Sequence, residues 1–398
     1  MTRTIPTAAA LVAAGILLAG CAASGPSAPS ASPSAGSSVG FDDGHGHVDG
    51  AAEVVEPQSR LLTVSGDGSV TMTDLLSSDE VAVGSVGSPS SVASDGRFAF
   101  VTTDAGIDVV DGGAWTWDHG DHFHYYSAEP RVIGTIEAAG AAEIATPSLA
   151  SAGTTGVFLP ETGEAVAIDM ASLAEGEIVE RFRIDTGASS GVVAPVGEAT
   201  IVATGDAAEA LDASGSVVAT AECADPAGSI TTRVGTVVGC ADKALLAVAS
   251  GSDVEFADVP YPSDEPRAEG FAGRKNRPTV AGLSGENGFW LLDTRAGEWS
   301  RAAVDATLTE VVAADDEGEN VVALDGDGRV RVFGEDGSDR GSTDPLTADA
   351  AATLVVDTQR AYLSAPDAGV VYEIDYADGA RIAREIPLDH AVGIEVGR

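Results

Sequence analysis

From about residue 58 onward, apolar and polar positions alternate in short runs, and Gly, Asp and Ser punctuate them every few residues. Alternation at period two is the pattern of a half-buried strand, and no stretch keeps a 3.6-residue period long enough for an ordinary helix. One unit recurs: a β-branched run, a Gly or Asp turn, then a second run ending in an acidic or small residue. It occurs at residues 61–75, 97–111, 156–169, 199–212, 235–249, 278–293, 320–333 and 360–375. Successive starts lie about 36 to 44 residues apart, with one gap of nearly 60 between the second and third; a four-stranded propeller blade needs about 40 to 50. A further strand follows most hairpins, as at 80–86, 131–137, 178–184 and 381–386, and supplies each blade's outer edge. The pattern predicts an all-β fold, an eight-bladed β-propeller over residues 58–398. Residues 391–396 are expected to return as the inner strand of the first blade, which removes the free sheet edge.

The long gap is an insertion at 112–130, between the second hairpin and its outer strand. A regular scaffold does not need it, so it is where function is expected. It carries Trp115, Trp117, Tyr125 and Tyr126, and the run Asp-His-Gly-Asp-His-Phe-His at 118–124, with three of the six histidines of the chain. His122 and His124 leave the same side of an extended backbone, while His119 and Asp121 can fold back across Gly120. Imidazole nitrogen with carboxylate oxygen is the donor set of a borderline divalent ion; zinc is the first candidate, and copper and nickel accept the same ligands. The aromatics are expected to pack the insertion onto its blade and so hold the histidines still. His45 and His47 form a second cluster among Asp42, Asp43 and Asp49. His390, at the turn into the closing strand, is a candidate distant ligand of the first cluster.

Composition sets the address. Residues 1–20 combine a basic start with an apolar run too short to span a bilayer comfortably, ending in Leu-Ala-Gly before Cys21. This is the context of a lipoprotein signal peptide, with Cys21 lipidated on the extracytoplasmic face of the cell membrane. Residues 21–57 are expected to form a flexible, disordered tether, because Ser, Ala, Pro and Gly dominate the stretch to residue 40 and cannot bury a core. Cys223 and Cys240, the remaining cysteines, are expected to form a disulfide in that oxidising compartment. A formal charge of −41 repels nucleic acid and attracts cations. There is no HExxH, no nucleophile with a neighbouring histidine and no Gly-rich phosphate cradle, so no enzyme activity is expected.

The signal with its lipobox, the His/Asp-rich segment, the Asp-His-Gly-Asp-His-Phe-His-Tyr motif at 118–125 and a propeller of this length together resemble the AztD family of periplasmic zinc chaperones. The resemblance implies a tight zinc site made by His119, Asp121, His122 and His124, and a labile site for which His45 and His47 would stand. It also implies a partner, the solute-binding protein of a zinc ABC importer. The expected function is extracytoplasmic zinc buffering or delivery to that importer. The alternative is a non-enzymatic propeller lipoprotein serving as a protein or glycan interaction platform.

Overall fold

In the computed structural model, which describes residues 46–118, 122–387 and 391–396 (of 391, 392 and 394–396 the backbone alone), the alternating segments pair into eight four-stranded antiparallel sheets. Each sheet is one blade of a propeller. The first contains β2 (Arg60–Ser65), β3 (Ser69–Asp74) and β4 (Glu80–Ser85). Its inner strand, Ala391–Val396, comes from the other end of the chain and pairs with β2 from Arg60↔Val396 to Ser65↔Ala391. The ring is thereby closed by backbone hydrogen bonds, as the period predicts.

The second blade runs outward as β5 (Ser91–Ser94), β6 (Phe98–Thr103), β7 (Gly106–Asp111) and β10 (Arg131–Ile136). Its two middle strands are buried along their whole length because both faces are covered. Ala99, Val101 and Val110 pack on Leu62, Val64, Val70 and Met72 of blade one. The alternate positions Phe98, Phe100, Ile107 and Val109 pack on Val157, Leu159, Val166 and Ile168 of blade three. Period-two alternation thus sorts one strand's side chains into two inter-blade cores. The outer strand β4, with one covered face, is mostly exposed.

The inner strands of blades three to eight are Glu143–Ala145, Val192–Val196, Ser229–Thr231, Glu269–Ala272, Leu308–Ala313 and Thr353–Val356. Blades four and five are joined covalently by the Cys223–Cys240 disulfide, as the two cysteines predict. Among the described residues there is one α-helix, α1 (Met170–Glu175) in blade three; Asp169 caps it by accepting the Ser172 N–H at 2.7 Å.

A ninth, three-stranded sheet stands outside the ring. The insertion folds as a hairpin of β8 (Ala114–Asp118) and β9 (Phe123–Ser127), and β1 (Ala52–Val54) pairs with β9 through Ala52↔Ser127, Glu53↔Tyr126 and Val54↔Tyr125. The span assigned to the tether therefore includes, at residues 46–57, a strand held by the hairpin. Three residues give no readable period, so this pairing comes from the partner strand and not from the segment's own pattern.

Candidate metal site

The hairpin is fixed at its base before any histidine is placed. Gly113 adopts φ +70, and a Cβ there would come within 2.4 Å of the Ala128 carbonyl, so the tight crossing needs glycine. The Ala128 N–H donates to Gly113 O at 2.7 Å. From blade one, Arg60 donates to the carbonyls of Gly113 at 2.8 Å and Ala128 at 3.2 Å, and to Ser127 Oγ at 2.7 Å.

The next layer is aromatic. Trp115 and Tyr126 face each other across β8 and β9, stack with centroids 5.2 Å apart, and are each 2 % exposed. They join the core between blades two and three, where burial of rings this size contributes about 2 to 3 kcal/mol each. Beneath them, the Arg97 guanidinium lies 3.7 Å from the Trp115 ring centre. It makes two hydrogen bonds to the Asp111 carboxylate, at 3.0 and 2.9 Å, and a third to Ala174 O of α1. On the other side, Trp115 Nε1 donates to Gly46 O at 3.0 Å, which brings the chain before β1 down onto the hairpin.

Strand alternation then puts His124, Tyr126, Trp115, Trp117 and Glu53 on one face of the small sheet, and Phe123, Tyr125, Thr116 and Val54 on the other. His122, just before β9, turns its ring towards His124. The two Nε2 atoms are 3.0 Å apart and the ring centroids 4.8 Å. Behind His124, Nδ1 is 2.8 Å from Glu53 Oε1. His47 packs edge-on against Tyr126 at 6.0 Å, and His124 lies along the same ring at 6.4 Å, so both imidazoles contact Tyr126.

Two nitrogens bound to one tetrahedral zinc at about 2.0 to 2.1 Å stand about 3.3 Å apart. The His122–His124 spacing of 3.0 Å is close to that edge, so the pair has the separation of two corners of such a site. Among the described residues, no group of three or more His, Cys, Asp or Glu comes together to hold a metal. Of the residues singled out in the sequence, His47, His122 and His124 are brought to one aromatic platform; Cys21, His45, His119, Asp121 and His390 lie outside the described residues. Sequence reasoning missed Glu53, Arg97 and Asp111. Their contacts to the platform cross 71 residues for Glu53 with His124, and 14 for Arg97 with Asp111, and nothing in the local pattern signals them.

No protein-family model matches the chain, and no curated protein sequence does. Solved structures do. AztD from Citrobacter koseri superposes with a TM-score of 0.72 at 17 % identity, covering 85 % of this chain and 98 % of that one. Its apo form gives 0.72 and 17 %, with 86 % and 99 % covered. The dihydro-heme d1 dehydrogenase NirN gives 0.56 at 13 % identity, covering 86 % of this chain and 76 % of that one. At these identities the likeness is one of fold, and the chain is an all-β propeller with an AztD-like fold.

Proposed function

We propose that this propeller is a lipid-anchored, extracytoplasmic zinc-binding protein that buffers zinc or hands it to the solute-binding protein of a zinc ABC importer. The observation that carries the reading is the His122–His124 pair, with Nε2 atoms 3.0 Å apart on a rigid aromatic base. Zinc is cargo here, not a reagent. In this reading His122 and His124 supply two imidazole donors, His119 and Asp121 the next two, and His390 is a fifth candidate. His47, beside Tyr126, with His45 before it, would form the labile second position on the N-terminal segment. An acidic chain of −41 favours approach of a cation from a distance.

The same scaffold is compatible with catalysis elsewhere, since the NirN neighbour is named as a dehydrogenase, so the non-enzymatic reading rests on this chain's side chains. What supports it is that the described residues of the site offer imidazole and carboxylate donors. Isothermal titration of the chain lacking residues 1–20 tests the proposal. Zinc should bind with a dissociation constant below about 1 μM, or roughly −8 kcal/mol. Replacing His122 and His124 by alanine should weaken it at least about 100-fold. High-micromolar binding, indifferent to both substitutions, would sink the idea. A metal-free protein that captures its partner as well as the zinc-loaded form does would support the interaction-platform reading instead.

A further inference from the structure

We infer that Glu53 is the positioning residue of this site: it fixes His124 in the tautomer whose Nε2 is free of hydrogen, and it does so only while the N-terminal segment is docked on the hairpin. The inference rests on the proposed metal reading for its purpose, but its first test needs no metal.

A neutral imidazole carries one proton, on Nδ1 or on Nε2. A carboxylate at 2.8 Å from Nδ1 can only accept, so it places the His124 proton on Nδ1 and leaves a lone pair on Nε2. His124 Nε2 faces His122 Nε2 at 3.0 Å. The contact with Glu53 holds the His124 ring from behind, with its Nε2 turned to the Nε2 of His122. Carboxylates that accept from the second nitrogen of a metal-bound histidine act in this way, and their removal costs about 10- to 100-fold in metal affinity.

Glu53 reaches His124 because β1 is paired with β9, with Glu53 opposite Tyr126. That pairing is three residues long and lies at an edge, so it is the least strongly held part of the platform. The preceding turn is fitted to the hairpin by Gly46, which has φ +71 and whose Cβ, if present, would lie 2.3 Å from the Trp117 ring. Together these contacts make segment 46–54 a strap. When docked it orients His124 and sets His47 beside Tyr126; when lifted it withdraws Glu53 and weakens the site. Docking of the strap is therefore a means of changing affinity without changing a ligand.

The experiment uses the metal-free protein lacking residues 1–20, labelled with 15N in its imidazoles, and reads the tautomer of His124 by long-range 1H–15N correlation. Wild type should show Nδ1–H at His124. Glu53→Ala should shift His124 towards Nε2–H, and Glu53→Gln, whose amide oxygen still accepts, should restore the wild-type signal. Competition with a chromogenic zinc chelator should then show Glu53→Ala weakened by about 10- to 100-fold and Glu53→Gln within about threefold of wild type. Gly46→Ala, which pushes the strap off Trp117, should move both readouts in the direction of Glu53→Ala. An unchanged His124 tautomer in Glu53→Ala would overturn the positioning role, and an unchanged Gly46→Ala would overturn the strap. If wild type holds the Nδ1–H tautomer yet binds no zinc, the functional proposal fails and the positioning role stands.

Discussion

Arg97 is the residue on which the hairpin platform rests, and Arg97→Met removes its charge while keeping most of its length. Arg97 is 1 % exposed and the Asp111 side chain 2 %, with the bidentate contacts at 3.0 and 2.9 Å. Without the guanidinium, the Asp111 carboxylate stays buried with the Gly113 N–H, at 2.9 Å, as a remaining donor. Stranding one charge of a buried pair costs about 3 to 5 kcal/mol, and the stacking on Trp115 adds about 1 kcal/mol more. About 4 to 6 kcal/mol is therefore the expected loss. Unfolding entropy near 2.1 cal/mol/K per residue, over roughly 350 folded residues, converts this to a fall of about 5 to 8 °C in Tm. Differential scanning calorimetry reads it directly. The double variant Arg97→Met with Asp111→Asn removes both charges and should recover at least half of the loss. A single variant that melts within about 1 °C of wild type, or a double variant as unstable as the single, would refute this reasoning.

Two other perturbations act away from the platform. Replacing Cys223 and Cys240 by alanine opens a link between positions 17 residues apart and should cost about 3 kcal/mol by chemical denaturation, with zinc affinity unchanged; an equal loss of affinity would show that blades four and five are coupled to the site. Glu310 on the inner strand of blade seven is pushed up to about 7 by burial, against the Leu354 N–H that it accepts from blade eight. Between its ordinary value of 4.5 and about 7 the folded protein keeps a proton that the unfolded chain has released, so stability falls as pH rises through that window. Glu310→Gln should flatten that slope and, above pH 7, exceed wild type by on the order of 2 kcal/mol; denaturation midpoints measured from pH 4.5 to 8 that superimpose for the two proteins would contradict it.

The ring was legible in the sequence because each blade is built from local hairpins whose period-two pattern survives at every repeat. The closing strand at 391–396 was legible for a topological reason: a lone alternating segment after the eighth outer strand has one vacant edge to fill. The insertion stood out by interrupting the period, and the His122–His124 pairing followed from their spacing of two. What could not be read is what reaches the hairpin from far along the chain. Glu53 sits in a three-residue strand with no pattern of its own. Arg97 looks like a turn residue of blade two until Trp115 is seen above it. Lys275, from the turn after the inner strand of blade six, donates to the Asp95 carbonyl of blade two, the blade directly opposite in a ring of eight, and only the closed ring brings these residues together. Burial pushes the Lys275 ammonium towards its neutral form, and the Asp95 carboxylate opposes that shift.

The claim that His122 and His124 hold a zinc ion is tested most directly by X-ray absorption at the zinc edge, on protein loaded with one equivalent of metal. The expected result is a four-coordinate shell of nitrogen and oxygen at about 2.0 to 2.1 Å, with the outer scattering of at least two imidazoles, and loss of that imidazole signal when both histidines are alanine. A shell of oxygen alone, identical in wild type and the double variant, would contradict it.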